Sequence, residues 1–216
     1  MSTPPLAPGP AARYDLAALR PPEPGALRGE PEAAGWQALQ RWCLAGSGPG
    51  GRPLWAPRAL PSVQTRFAVA YLTGSHHNVA SQLALHLALE RDGSLQMQAC
   101  RTGMGRLGLR VKTKLHDLMW WRRRQPSDPW DSGYVRDTAA GLQALTRFMP
   151  RRATLLVAEG LAATTLATVA QDLHQRQNSF AHPVRLLVPA PLPDGLCEAL
   201  RSTPGISPTT LVLERQ

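Results

Sequence analysis

The chain contains little cysteine, almost no lysine and no long hydrophobic run. Its three cysteines, Cys43, Cys100 and Cys197, are widely separated and form no Cys-x-x-Cys pair, which argues against a disulfide framework and a cysteine zinc site. No apolar run approaches the roughly 20 residues that span a bilayer, and residues 1–13 lack the basic and apolar regions of a signal peptide. We therefore expect a cytoplasmic protein that makes no membrane contact.

Charge is unevenly distributed between the two signs and between the two basic residue types. Lys and Arg number 24 against 15 Asp and Glu, a net charge of +9, yet only Lys112 and Lys114 are lysines. A length of 216 residues with 43% hydrophobic residues is enough for one well-packed domain. Residues 1–33 are rich in Pro, Ala and Gly and are predicted to be a disordered lead-in, which leaves residues 34–216 as the folded domain.

Apolar runs alternate with helical patterns along the rest of the chain. Strands are predicted at 66–73, 95–100, 153–158, 184–188 and 209–213, and helices at 35–44, 78–90, 107–124, 137–148, 161–177 and 193–201. The helix at 137–148 is predicted to be capped by Asp137. This alternation is typical of βαβ units, so we expect an α/β fold with a parallel sheet of about five strands flanked by helices.

The turn after the first predicted strand has the position of a phosphate-binding loop. The stretch Gly74-Ser-His-His-Asn-Val-Ala-Ser81 follows a strand and opens a helix. Against the P-loop pattern Gly-x-x-x-x-Gly-Lys-Ser/Thr, Gly74 and Ser81 match, whereas Val79 replaces the second glycine and Ala80 replaces the lysine. The turn therefore matches the P-loop in position but not in its positive charge.

Loss of that lysine weakens any phosphate binding. The P-loop lysine reaches the β- and γ-phosphates, and a charge-assisted hydrogen bond is worth roughly 1.5–3 kcal/mol, or one to two orders of magnitude in affinity. We expect either no cofactor or weakly bound ATP and Mg²⁺. An arginine could replace the lysine, with Arg66 or a residue at 122–124 as candidates.

Several segments together resemble the core of STAND-type P-loop NTPases, the NACHT-like regulatory ATPases. Residues 34–43 are similar to the helix that leads into that core, and 66–81 to its P-loop unit. Residues 150–159 resemble its Walker B strand, with Glu159 where the family usually has the Asp that holds Mg²⁺. Residues 182–188 are similar to its sensor strand, although Pro189, Ala190 and Pro191 follow where the family tends to have a polar or Arg residue.

The resemblance implies a degenerate P-loop fold whose cofactor-binding positions are Gly74, Ser75, Ser81 and Glu159. The departures from the family pattern fall on catalytic positions, so we expect the chain not to hydrolyse ATP. Glu159 is the one candidate catalytic residue. We expect a non-hydrolysing interaction or regulatory module that binds a protein partner. The alternative is a divergent ATP-binding domain or ATPase that uses a surrogate arginine.

The most basic segment, residues 101–124, offers a third possibility. It contains eight basic residues with Asp117 as its only acid. Basic residues beside tryptophans can neutralise phosphates and stack on bases, so a nucleic-acid-binding adaptor is a further alternative. An amphipathic helix with a solvated basic face, or a face that binds an acidic protein, explains the same pattern. The candidate contact residues are Arg106, Arg110, Lys112, Lys114, Trp121, Arg122, Arg123 and Arg124.

Two weaker motifs are better explained without a ligand. Residues 103–108 spell Gly-x-Gly-x-x-Gly, but no strand follows at the spacing of a dinucleotide fold, which favours a glycine loop. His76, His77 and His86 have no carboxylate nearby in sequence, and adjacent histidines rarely share one ion, so no metal site is predicted.

Overall fold

A mixed six-stranded sheet forms the centre of the molecule. The computed structural model describes residues 17–29, 33–45, 66–74, 77–99, 129–189, 206 and 208–213. The strands are β1 (Leu19–Arg20), β2 (Phe67–Gly74), β3 (Asp131–Val135), β4 (Thr154–Val157), β5 (Val184–Pro189) and β6 (Thr209–Leu213). Their order across the sheet is β1-β3-β4-β5-β2-β6, with β1 antiparallel and all other neighbours parallel. The predicted α/β class is confirmed; the described residues form six strands, one of them antiparallel, where about five parallel strands were expected.

Helices cover both faces of this sheet. They are α1 (Ala33–Leu44), α2 (His77–Arg91), α3 (Ser94–Ala99), α4 (Ala139–Thr146) and α5 (Ala163–Arg176), with short 3₁₀ turns at Pro24–Ala26 and Gln177–Ser179. α1 and α2 pack on one face and α4 and α5 on the other. In β5, Leu186 and Leu187 belong to opposite cores, which explains why the strands appear as continuous apolar runs.

The strand predicted at 95–100 is wrong, because this segment begins as helix α3. Gly93 adopts φ +81°, which ends α2, and the Asp92 carboxylate accepts a hydrogen bond from the Ser94 backbone N–H at 2.7 Å, which starts the next helix. Among the described residues, the next strand along the chain is β3. Its Ser132 and Gly133 interrupt the apolar pattern that would have revealed it.

Residues 17–29, which we name the N-terminal strap, pack against the domain, within the longer stretch 1–33 for which composition predicts a disordered lead-in. Ala18 and Leu19 are 0% exposed, and β1 extends the sheet by pairing with β3. The Ala18 carbonyl accepts a hydrogen bond from the Arg136 backbone N–H at 3.1 Å. Composition does not reveal the strap, because a two-residue strand with one buried leucine, Leu19, is enough to hold it against the sheet.

The remaining elements agree with prediction to within a few residues, with one different cap. Thr138, not Asp137, caps α4: its hydroxyl accepts a hydrogen bond from the Gly141 N–H at 3.0 Å. The predicted helices at 107–124 and 193–201 lie outside the described residues. Within the described part of the chain, no helix combines the length and the apolar character needed to cross a membrane.

Candidate functional site

Ser81 and Glu159 meet at the carboxyl edge of the sheet. The Ser81 hydroxyl donates a hydrogen bond to Oε1 of Glu159 at 2.5 Å, and the pair is partly buried. Ser81 lies in the N-terminal part of α2, which follows β2, and Glu159 lies two residues beyond β4. Because β5 runs between β2 and β4, the bond spans the carboxyl end of β5. Ser81 and Glu159, which are 78 positions apart in sequence, thus lie side by side at this edge, and we call the pair the Ser81–Glu159 corner.

The helices that follow β2 and β4 lie on opposite faces of the sheet. α2 packs with one core and α5 with the other. Such divergence at the carboxyl ends of parallel strands is the usual place for a ligand in open α/β sheets. Gly160, with φ +76°, turns the chain directly after Glu159 toward α5. Glu159 therefore lies in the turn between β4 and α5, where its carboxylate bonds to Ser81.

The first turn of α2 has Val79 and Ala80 at the positions where a P-loop has its second glycine and its lysine. Ala80, at the lysine position, is 1% exposed and belongs to the core under α2. Val79, at the position of the second glycine, is 42% exposed and adds a branched side chain where backbone N–H groups would approach phosphates. Gly74 ends β2, and Ser75 lies outside the described residues.

Tyr134 and Arg20 extend the corner across the sheet. Tyr134 is on β3, where it pairs with Val157 of β4 and with Arg20 of β1. Burial raises the pKa of Tyr134 well above its usual range, the nearby Glu159 carboxylate raises that pKa further, and Arg20 lowers it. The Arg20 guanidinium carbon lies 5.3 Å from the centre of the Tyr134 ring, a cation–π contact. Glu159 therefore has Ser81 on one side and the Tyr134–Arg20 pair on the other.

The N-terminal strap also contacts α2 beside Ser81. The Gln82 side chain accepts a hydrogen bond from the Arg28 backbone N–H at 2.7 Å and donates one to the Ala26 carbonyl at 3.1 Å. Leu27 packs against the core on this face. Arg20, Gln82 and Tyr134 were not predicted as site residues from the sequence, although Pro21 and Pro22 directly after Arg20 are a recognisable sign of a protected edge strand.

Arg66, one predicted substitute for the lysine, lies at the wrong edge of the sheet. It precedes β2, and its guanidinium donates hydrogen bonds to the carbonyls of Phe180 and Asn178. The eight residues of β2 separate it from the carboxyl edge by about 25 Å at 3.3 Å per residue. Arg66 therefore cannot reach a ligand at Ser81. The candidates at 122–124 lie outside the described residues.

Arg185 is a buried cation that sequence analysis did not identify. It is 0% exposed and donates hydrogen bonds to the carbonyls of Cys43, Ala45 and Val184. Two of these carbonyls lie at the C-terminal end of α1, where a positive charge is favourable. Burial lowers the pKa of Arg185 and raises the pKa of the Cys43 thiol to about 11. This arginine anchors α1 to the sheet and is remote from the carboxyl edge.

A separate groove lies between α4 and α5 on the opposite face of the sheet. It encloses about 280 Å³ and is lined by Leu142, Leu145, Thr164, Thr165, Thr168 and Val169, among others. Asp172 at its end is paired with Arg176, which also donates to the Leu145 and Phe148 carbonyls. The volume is just below the roughly 300–1,000 Å³ of most ligand pockets, and the charges at its end serve to join the two helices.

The other candidate site residues either have structural contacts or fall outside the described residues. His86 makes an edge contact with Trp36, with 4.7 Å between ring centres. Among the described residues, no group of three His, Cys, Asp or Glu side chains could hold a metal ion. Residues 101–124, with all the predicted nucleic-acid contacts, and the glycine motif at 103–108 lie outside the described ranges. The segment before that motif is a helix and not the strand a dinucleotide fold requires.

Comparisons of the chain with known protein families, curated proteins and solved structures find no match. The function must therefore be inferred from the corner itself and from the motifs in the sequence.

Proposed function

We propose that this chain is a degenerate P-loop NTPase-like domain of the STAND or NACHT type, which does not hydrolyse ATP and acts as an interaction or regulatory module in the cytoplasm. The observation that carries the proposal is the hydrogen bond between Ser81 and Glu159, combined with a buried Ala80 where the P-loop lysine would stand. The corner has a hydroxyl and a carboxylate, as a P-loop site does, and lacks the lysine.

The residues present fit the magnesium part of such a site. P-loop NTPases hold Mg²⁺ through the loop Ser or Thr and a Walker B carboxylate, and hydroxyl and carboxylate oxygens are the ligands that this ion prefers. Bound Mg²⁺ would neutralise phosphate charge. Ser81 and Glu159 supply both oxygens from the two expected elements, a helix after one strand and the end of another.

The residues do not fit the phosphate cradle. Ala80 has no charge and faces the core, and Val79 crowds the turn. Catalysis of phosphoryl transfer depends on positioning the reactants and on stabilising the charge of the phosphates. Loss of the lysine therefore removes the positive charge that would stabilise the phosphates. What remains is an α/β scaffold. The basic segment 101–124, with its excess of positive charge, is the proposed site for an acidic protein partner.

An assay of phosphate release tests this proposal. With saturating ATP and Mg²⁺, we expect the wild-type chain and Glu159→Gln to release phosphate at the same background rate. Turnover by the wild-type protein that disappears in Glu159→Gln would contradict the proposal and favour the divergent ATPase.

A further inference from the structure

The groove between α4 and α5 is largely apolar. Leucine and valine side chains line it together with threonines, and Asp172 is the one acid among its described lining residues. The Thr168 hydroxyl donates to the Thr164 carbonyl at 2.9 Å and the Thr146 hydroxyl to the Gln143 carbonyl at 2.8 Å, so neither needs a partner in the groove. A volume of about 280 Å³ is small for most free ligands but suits one or two anchor side chains of a protein segment.

Arginines lie at the end of this groove where α4 and α5 terminate, and we call Arg66, Arg147 and Arg176 the basic rim. Arg176 donates to the carbonyl of Leu145, which lines the groove. The Arg176 guanidinium carbon also lies 5.7 Å from the ring centre of Phe180, whose carbonyl accepts a hydrogen bond from Arg66. Arg147 directly follows α4. The contacts of two helices and one strand thus bring three cations to one place.

The basic rim has an excess of positive charge. Asp172 neutralises Arg176, since its Oδ2 lies 3.0 Å from Nε of that arginine. The Arg66 guanidinium donates to backbone carbonyls, which satisfy its N–H groups without cancelling its charge. Arg147 is exposed, and no carboxylate of the described residues forms an ion pair with it. Arg66 and Arg147 therefore favour an occupant that carries carboxylates.

An exposed methionine adjoins the basic rim. Met149, three residues after Thr146 of the groove, is 53% exposed, and Val79 on α2 is the other exposed large hydrophobic side chain among the described residues. Methionine and arginine are both enriched at protein interfaces. A nucleic acid has no aliphatic side chain to place in the groove, so these features together favour a protein segment.

We propose that the groove and the basic rim together bind an acidic amphipathic segment of a partner protein. Apolar side chains at i and i+4 of that segment enter the groove, and carboxylates at one end of it pair with Arg147 and Arg66, as in helix-in-groove recognition. This inference goes beyond the proposed function, which assigns an acidic partner to segment 101–124. It concerns a different surface and does not depend on the Ser81–Glu159 corner.

Fluorescence anisotropy of a labelled synthetic peptide tests the proposal on the full chain. The probe peptide carries two leucines at i and i+4 followed by a run of glutamates. One control peptide has glutamines in place of the glutamates, and a second has serines in place of the leucines. We expect the probe to bind with an affinity that falls as salt is raised. Both control peptides should bind about tenfold more weakly, because each lacks either the charges or the apolar anchors.

Two substitutions test where the probe binds. Arg147→Gln removes a charge of the basic rim and should weaken probe binding about tenfold, as for loss of one charge-assisted hydrogen bond. Thr168→Gln fills the groove from an exposed position and should weaken probe binding while leaving the serine peptide unaffected. Arg41→Gln is the matched control, because it removes an exposed charge from the last turn of α1, on the other face of the sheet. Thermal unfolding of each variant shows whether the fold is intact.

Each contrary outcome has a distinct meaning. Absence of probe binding at millimolar concentration, or equal binding by wild type and Arg147→Gln, overturns the proposal. Equal binding of the probe and the serine peptide also overturns it, because the groove would then contribute nothing. Tighter binding of oligothymidylate than of the probe, with the same dependence on Arg147, would identify a nucleic-acid site instead. Probe binding lost in Arg122→Ala with Arg123→Ala but kept in Arg147→Gln would overturn this inference and leave the acidic partner on segment 101–124.

Discussion

Replacing Leu19 with alanine tests whether the N-terminal strap is part of the folded domain. Leu19 is 0% exposed and packs in the core under α4 and α5. Truncation of a fully buried leucine costs about 2–5 kcal/mol, and a two-residue edge strand can yield locally, so we expect a loss near the lower limit, about 2–3 kcal/mol. Urea unfolding followed by tryptophan fluorescence measures this loss as a lower midpoint.

Leu27→Ala is the control for that experiment, because it makes the same change in the same strap at a partly exposed side chain. Since less apolar surface is lost, we expect a cost of about 1 kcal/mol or less. Equal, negligible effects of the two substitutions would refute the packed strap and restore the disordered lead-in.

Three further predictions concern the anchor of α1 and the basic segment. Burial raises the pKa of Cys43 from 9.0 to about 11, so the folded state favours the neutral thiol. The free energy of unfolding should therefore be at its full value below pH 9 and fall by about 3 kcal/mol as the pH rises to 11. Cys43→Ala should remove that fall in urea unfolding, and a pH profile identical to that of the wild type would contradict the assignment. Arg185→Met leaves carbonyls at the end of α1 without a donor and should lower the free energy of unfolding by about 2–4 kcal/mol. A neutral or stabilising effect in the same assay would show that the cost of burying the charge exceeds the gain from its hydrogen bonds. Arg122→Ala with Arg123→Ala should flatten the salt dependence of single-stranded DNA binding if residues 101–124 contact phosphates, and binding that ignores both salt and these substitutions would exclude that adaptor role.

Strands buried on both faces were the most predictable part of the fold. Residues 66–73 form an apolar run that ends at Gly74, residues 184–188 are apolar except for Arg185 and lie between two prolines, and both segments lie inside the sheet. β3 was missed because Ser132 is polar and Gly133 has no side chain, yet β4 and β1 on either side stabilise the strand. A sequence pattern identifies a strand or helix only when the side chains of that segment determine its structure. It fails when pairing with neighbouring strands determines the structure instead.

The candidate site was partly predictable for a related reason. Ser81 and Glu159 each follow an apolar strand, and the carboxyl ends of parallel strands share one edge, so their proximity follows from the topology. Arg20 and Tyr134 could not be found this way. Their contact depends on antiparallel pairing of a two-residue strand, which has no periodic pattern to detect.

Calorimetric titration of the wild-type chain and Ser81→Ala with Mg-ATP tests most directly whether the corner is a vestigial phosphate site. Ser179→Ala is the matched control, because this exposed serine bonds to the Arg176 carbonyl after α5, away from the corner. We predict weak, magnesium-dependent binding that Ser81→Ala reduces further and Ser179→Ala leaves unchanged. An affinity that is the same in wild type and Ser81→Ala would contradict the account, because it would place any nucleotide somewhere other than the Ser81–Glu159 corner.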